Sequence, residues 1–152
     1  MVIMDELLAI SPLDGRYRRK VESLAPFFSE YGLIRYRALV EVAWLKALAD
    51  EGAIAEVAPL SPAARAHLDG LIERFDLAAA QNIKAREAKT NHDVKALEYW
   101  LKDACASQPE LAKITEFIHF ACTSEDINNM SHALMLKGAL QEVLLPALEK
   151  IL

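Results

Sequence analysis

The chain has 152 residues and a formal net charge of −5; 53% of its residues are hydrophobic and 26% are charged. This length suits one domain with a substantial core, and so apolar a composition with so small a net charge excludes a disordered chain. The negative charge also argues against a general nucleic-acid binder, because an acidic surface repels phosphate.

The apolar residues recur every three to four positions and glycine is scarce, which favours an all-α fold. After a weakly apolar start, Ser11–Gly15 is predicted to form a turn. Residues 16–24 are predicted to form a short helix that Pro26 ends. A long helix follows from about Ser29 to Glu51, with Gly52 as a left-handed cap. Its predicted buried stripe consists of Leu33, Tyr36, Val40, Ala43, Trp44, Ala47 and Leu48.

Three more helices are predicted between residues 61 and 106. Ser61 followed by Pro62 is a strong helix start, and Asp76 can cap a helix over residues 77–88. Asp93 is predicted to cap the next helix, which runs to about Ala106. Its apolar residues, predicted to point mostly inward, are Val94, Leu97, Tyr99, Trp100 and Leu101.

The last part of the chain is predicted to contain a short and a long helix. Pro109 is expected to begin the short one, and Thr123 with Asp126 resembles a capping box that begins the long one. Pro146 should kink this helix without ending it. Its apolar positions surround more than one face, so it requires partners on several sides. We therefore expect the chain to be a piece of a longer protein.

The two cysteines and the absence of a transmembrane or signal segment predict the compartment. Cys105 and Cys122 are too few for a disulfide scaffold and are expected to be reduced in the core. The apolar segments are shorter than the roughly 18 residues that a membrane span needs. These features predict a soluble, cytoplasmic protein.

Three polar motifs interrupt the helical pattern. The basic motif, residues 11–20, combines a turn with four cations and Tyr17, and Arg16 beside Tyr17 suits a phosphate and an adjacent sugar or base. Cations near a helix start oppose the helix dipole, so a bound anion would explain them. A solvated cationic face is the alternative.

The histidine motif, residues 89–95, contains Asn91, His92 and Asp93. Histidine is suited to proton transfer near neutral pH, and Asp93 could orient its ring. The other three histidines give no metal-ligand spacing, so no metal site is predicted. The alternative is a turn between helices in which Asp93 is only a cap.

The hydroxyl motif, residues 119–129, places Thr123 and Ser124 at a helix start, where hydroxyls and amides can bind a carboxylate or phosphate. The alternative is capping without a ligand. His119 lies in an apolar run and is interpreted as a core histidine with satisfied hydrogen bonds. Cys122 is interpreted as a packing residue, since no base lies at a suitable spacing.

In this order, the three motifs resemble the bacterial adenylosuccinate lyases of the fumarase/aspartase superfamily. The resemblance rests on Ser-Pro-Leu-Asp-Gly-Arg-Tyr (11–17), Thr-Asn-His-Asp-Val-Lys-Ala-Leu-Glu-Tyr (90–99) and Glu-Phe-Ile-His-Phe-Ala-Cys-Thr-Ser-Glu-Asp-Ile-Asn-Asn (116–129). It covers essentially the whole chain.

This resemblance implies a fold, a reaction and an assembly. It implies an N-terminal helical domain (1–112) followed by the truncated start of a central helical bundle (113–152), in a homotetramer whose active sites are shared between subunits. The implied enzyme eliminates fumarate from adenylosuccinate, giving AMP, and from succinyl-aminoimidazole carboxamide ribotide. It uses no cofactor and no metal.

The resemblance also assigns roles to individual residues. Arg16 and Tyr17 match the pair that contacts the nucleotide. The segment of Asn91, His92 and Asp93 matches the one whose histidine lies in the active site, with His92 in a supporting catalytic role. A further pair, Thr123 and Ser124, matches residues that contact substrate.

The family's principal acid, a histidine in a Thr-His-Gly-Gln-type motif, and its base, a loop serine, do not occur here. The isolated chain is therefore expected to be inactive. Two alternatives remain open: another lyase of the superfamily, such as one acting on argininosuccinate, or a non-catalytic helical interaction module. The context of Arg16–Tyr17 and Asn91–Asp93 argues against argininosuccinate.

Overall fold

A computed structural model describes residues 10–152, and this part of the chain contains helices and turns without strands. The predicted all-α fold is confirmed. The start of the predicted apolar lead-in, residues 1–9, lies outside the described residues. The α-helices are α1 (Ala25–Phe28), α2 (Glu30–Glu51), α3 (Pro62–Glu73), α4 (Leu77–Thr90), α5 (Asp93–Cys105), α6 (Ser124–Ala139) and α7 (Leu145–Glu149).

The predicted helix over residues 16–24 is wrong. The segment forms two 3₁₀ turns, Arg18–Lys20 and Glu22–Leu24, separated by Val21, whose backbone is not helical. Pro26 does not end a helix but lies in the first turn of α1. Proline is tolerated there because the first amides of a helix have no partner within it.

The ends of α2 lie where the sequence predicted them. The Ser29 hydroxyl accepts a hydrogen bond from the Gly32 amide, and Gly52 follows the helix with φ +67°. Because glycine has no Cβ, it adopts this left-handed conformation without strain.

The buried face of α2 differs from the predicted stripe, in which Ala43 and Ala47 are in fact exposed. The helix lies between two apolar clusters and therefore buries more than one face. The smaller cluster joins it to α1 and α6 through Phe27, Tyr36, Met135 and Ala139. The larger cluster joins it to α3, α4 and α5, and its members on α2 are Ile34, Ala38, Val42, Leu45 and Ala49.

The starts of α3 and α4 are as predicted, whereas that of α5 is not. Ser61 and Asp76 accept hydrogen bonds from the third amide of their helices. The residue that caps α5 is His92, and Asp93 is the first helical residue. Tyr99 was predicted to point inward but is 43% exposed.

The predicted short helix after Pro109 is replaced by two 3₁₀ turns, Leu111–Lys113 and Thr115–Phe117. The apolar residues of this segment are nevertheless internal, as Leu111 and Ile114 are buried. So short a segment gains few helical hydrogen bonds, and its burial takes precedence over helix geometry.

The helical path continues past Pro146, as predicted. A π-helical segment, Leu140–Leu144, comes between α6 and α7. Proline removes an amide donor and crowds the carbonyl four residues earlier, so a local widening of the helix accommodates it. Large apolar side chains remain exposed on several faces here: Met130, Leu136, Leu140, Leu145, Leu148 and Ile151.

Among residues 10–152, no helix is both long enough and apolar enough to cross a bilayer. Both cysteines are free; Cys105 is buried and Cys122 is partly buried. Burial raises the pKa of Cys105 to about 11 and is the main cause that raises the pKa of Cys122. Raised thiol pKa values agree with packing roles and oppose nucleophilic ones.

Candidate functional site

A buried arginine on α2 joins the histidine motif to the hydroxyl motif. The Arg37 guanidinium lies 2.8 Å from Asp93 Oδ2, and Arg37 Nε donates to Asn128 Oδ1 over 2.8 Å. Arg37 is only 8% exposed. The starts of α5 and α6, which carry two of the three predicted motifs, are therefore fixed to the same side chain.

This contact alters the ionisation of Asp93. Burial acts to raise the pKa of Asp93, but the hydrogen bond from the Val94 amide and the charge and hydrogen bond of Arg37 outweigh it. The pKa of Asp93 is thus below its ordinary value of 3.8. The carboxylate is ionised at neutral pH and holds Arg37 in place.

The backbone of the histidine motif turns sharply between α4 and α5. Asn91 has φ +51°, and its amide donates to the Glu87 carbonyl, which ends α4. Asparagine is among the few residues that adopt this conformation readily. The turn directs the chain into α5 and leaves the side chains of Asn91 and His92 exposed.

Among residues 10–152, one ring nitrogen of His92 has a hydrogen-bond partner and the other has none. Its Nδ1 accepts a hydrogen bond of 3.1 Å from the Lys95 amide, so in the neutral ring the proton lies on Nε2. A cleft of about 430 Å³ is lined by Lys84, Glu87, Ala88, Asn91, His92 and Asp93. His92 can therefore donate a hydrogen bond to a ligand in this cleft while it caps α5.

A second buried charge on α2 contacts His119 in the hydroxyl motif. Glu41 Oε1 lies 2.6 Å from His119 Nδ1, and the Glu41 side chain is fully buried. Burial raises the pKa of Glu41, although the hydrogen bond and charge of His119 act in the opposite direction. His119 was interpreted as a core histidine with satisfied hydrogen bonds. Its Nδ1 has this partner, but its side chain is 18% exposed and so only partly internal.

Three residues one helical turn apart on α2 thus hold the motifs together. Arg37 contacts Asp93 and Asn128, Glu41 contacts His119, and the Trp44 indole N–H donates to the Phe120 carbonyl over 2.8 Å. Positions i, i+4 and i+7 share one helix face. This face of α2 therefore aligns the histidine and hydroxyl motifs.

The hydroxyl motif begins α6 with the predicted capping box. Both the amide and the hydroxyl of Thr123 donate to Asp126 Oδ2, over 2.7 and 3.0 Å. These hydrogen bonds lower the pKa of Asp126, and the nearby His119 contributes further. Ser124 occupies the first helical position, next to amides without helical partners.

Arg16 and Tyr17 of the basic motif form an exposed pair. The Arg16 guanidinium carbon is 4.8 Å from the centre of the Tyr17 ring, and both side chains are exposed. Within residues 10–152, no hydrogen bond or ion pair joins either side chain to the histidine or hydroxyl motif. Among the described residues, α2 thus connects the histidine and hydroxyl motifs, whereas no such contact connects Arg16 or Tyr17 to them.

The described residues contain no cluster of three or more His, Cys, Asp or Glu side chains that could hold a metal ion. Sequence reasoning missed Arg37, Glu41 and Asn128. The available signal was two opposite charges, Arg37 and Glu41, four residues apart within an otherwise apolar stretch of a long helix. Charged residues on a buried face require partners, which marks them for attention.

Comparison with known proteins places these residues among lyases. Residues 15–152 match the model of a family described as "Lyase". The adenylosuccinate lyase of Haemophilus influenzae is 54% identical over 149 residues, which are 98% of this chain and 33% of the relative. That of Escherichia coli K12 is 54% identical over 143 residues (94% and 31%), and that of Legionella pneumophila strain Corby is 49% identical over 146 (96% and 32%). The chain spans about a third of the length of these relatives.

Proposed function

We propose that this chain, which belongs to the lyase family that residues 15–152 match, forms part of an enzyme that splits adenylosuccinate into AMP and fumarate. The observation that carries the proposal is the identity of about half over nearly the whole chain with proteins named adenylosuccinate lyase. The same enzyme would act on succinyl-aminoimidazole carboxamide ribotide in purine biosynthesis.

In the proposed reaction, a base removes a proton from the carbon next to a carboxylate, the C–N bond breaks, and an acid protonates the leaving nitrogen. The carbanion-like intermediate requires hydrogen-bond donors at its carboxylate. We assign the principal acid and base to parts of the enzyme outside this chain. The chain contributes part of the substrate site, and the isolated chain is inactive.

The geometry supports specific roles for the candidate residues. Arg16 and Tyr17 would hold the nucleotide, since both side chains are exposed and adjacent. His92 would donate from Nε2, with Asn91 beside it, while Asp93 anchors the turn through Arg37. The hydroxyl of Ser124 and the free amides at the start of α6 would bind an anionic group of the substrate, with Thr123 shaping that start.

The assembly belongs to the same proposal. We infer a cytoplasmic homotetramer in which subunits share active sites, without a cofactor, and a domain boundary near residue 112. The exposed apolar residues of the last helical segment agree with further helices packing there.

A chimera tests the proposed function. This chain replaces the matching segment of the Escherichia coli relative, and fumarate release from adenylosuccinate and from argininosuccinate is measured. We expect release from adenylosuccinate alone, and none from the isolated chain. A folded chimera that is inactive on adenylosuccinate, or that prefers argininosuccinate, would contradict the proposal. Cleavage by the isolated chain would contradict the assignment of the acid and base.

A further inference from the structure

Glu41 places an ionisable carboxyl group in the interior of the fold. Its side chain is fully buried, Oε1 contacts His119 Nδ1, and Oε2 has no hydrogen-bond partner within the described residues. Burying a carboxylate costs several kcal/mol, and an apolar side chain of similar size is often as stable or more so. Fold stability alone therefore gives no reason for a glutamate at this position.

The surroundings leave His119 as the direct partner of Glu41. The other buried carboxylate near it, Glu98 on α5, is engaged by Lys95 at 2.7 Å and by Lys102 at 3.2 Å. Glu98 is thus paired with two lysines, and its negative charge disfavours ionisation of Glu41. The hydrogen bond with His119 is what offsets the burial of Glu41 among the described residues.

The backbone around His119 is also held in an uncommon conformation. His119 has φ +64° and Ala121 has φ +57°. Residues other than glycine adopt such angles at a cost of about 1 kcal/mol or more, and they persist where the surrounding structure enforces them. Two side chains of α2 contact this segment: Glu41 through His119 Nδ1 and Trp44 through the Phe120 carbonyl.

We propose that Glu41 is a positioning residue: its carboxylate holds the proton of the neutral His119 ring on Nδ1 and leaves Nε2 as a hydrogen-bond acceptor within the hydroxyl motif. A carboxylate that accepts from one ring nitrogen fixes both the tautomer and the orientation of a histidine. The importance of this for catalysis rests on the proposed lyase function, whereas the tautomer itself does not.

The tautomer can be measured directly in this chain. Long-range ¹H–¹⁵N correlation spectra distinguish protonated from bare ring nitrogens, at about pH 9, well above the ordinary histidine pKa of about 6.5. We expect His119 to carry its proton on Nδ1. His67 is an internal reference, since its Nε2 faces the Ala104 carbonyl at 2.9 Å and must donate. A bare Nδ1 on His119 in the unaltered chain would overturn the proposal.

Two substitutions distinguish the effect of Glu41 on the His119 tautomer from that of Glu98. Glu41→Met removes the acceptor at similar volume, and His119 should shift to the Nε2–H tautomer. Glu98→Gln removes a nearby buried charge without removing that acceptor, so the tautomer should be unchanged. If His119 keeps its proton on Nδ1 in the Glu41→Met variant, Glu41 does not set the tautomer. Should that variant not fold, the spectrum of the unaltered chain still tests the proposal, because a bare Nδ1 on His119 would overturn it.

The chimera tests the part of the proposal that concerns catalysis. In the proposed lyase, Glu41→Met should lower kcat for adenylosuccinate at least about tenfold with little change in KM. The reason is that it would misorient His119, which lies in the same motif as the proposed substrate-binding residues Thr123 and Ser124, and orientation matters most in the transition state. An unchanged kcat with a shifted tautomer would overturn the catalytic role. An inactive parent chimera would instead refute the proposed function and leave the tautomer result standing.

Discussion

The Arg37 guanidinium lies 2.8 Å from Asp93 Oδ2 and thereby fixes the first residue of α5 to the middle of α2. The same guanidinium also donates from Nε to Asn128 Oδ1 on α6 over 2.8 Å. A single buried cation thus determines how two separate helix starts face each other.

Removal of this cation should destabilise the fold. Arg37→Ala leaves the Asp93 carboxylate and the Asn128 amide without their partner, so we expect a loss of about 1.5–3 kcal/mol in the free energy of unfolding. Chemical denaturation of the 152-residue chain measures it. Arg65→Ala, which breaks an exposed pair with Asp50, is the control and should cost less than about 1 kcal/mol. Equal losses would show that Arg37 is no more than a surface charge.

The ion pair should also respond to acid in a defined direction. Because the pKa of Asp93 is lowered in the folded chain, its contribution to stability is complete above the ordinary pKa of 3.8 and is lost as the pH falls through the lower folded value. The difference in unfolding free energy between the unaltered chain and Asp93→Asn should therefore shrink as the pH falls from about 5 to about 2. A difference that stays constant over this range would rule out a lowered pKa.

Two substitutions of Asn91, in the turn of the histidine motif, distinguish backbone strain from loss of the side chain. Asn91 has φ +51°, so Asn91→Ala should cost about 1 kcal/mol of stability, whereas Asn91→Gly should be nearly neutral. If the Asn91 side chain also contacts substrate, both variants should raise the KM of the chimera to a similar degree. Full activity of the glycine variant would limit Asn91 to a structural role.

Much of the secondary structure could be predicted because its signals are local. Ser29, Ser61, Asp76 and Gly52 act within one helical turn, and each lies where the sequence predicted a helix end. The cap of α5 was assigned to Asp93 instead of His92, since either side chain can cap and a shift of one residue leaves the pattern almost unchanged.

The contacts that organise the site could not be predicted in the same way. Glu41 and Arg37 reach partners 78 and 91 residues away along the chain. Periodicity indicates which face of a helix is buried, but it does not identify the element that covers it. The face of α2 was also misjudged, because a helix between two clusters has apolar residues on several sides and no single stripe stands out.

The basic motif should contribute to nucleotide affinity through one defined pair. In the chimera, Arg16→Ala should weaken AMP binding by about 1.5–3 kcal/mol, roughly 10- to 100-fold in Kd, if its guanidinium contacts the nucleotide. Arg18→Ala removes a neighbouring cation and should have a much smaller effect. Calorimetric titration compares them, and equal losses would indicate general attraction by a cationic surface.

The proposal that this chain supplies part of a lyase substrate site is tested most directly at His92. His92→Asn retains a side chain that can cap α5 but removes the ring and its Nε2 donor. In the chimera, we expect an unchanged melting temperature and a fall of about 100-fold in the rate of fumarate release from adenylosuccinate. An unchanged rate in a chimera that is otherwise active would contradict the account.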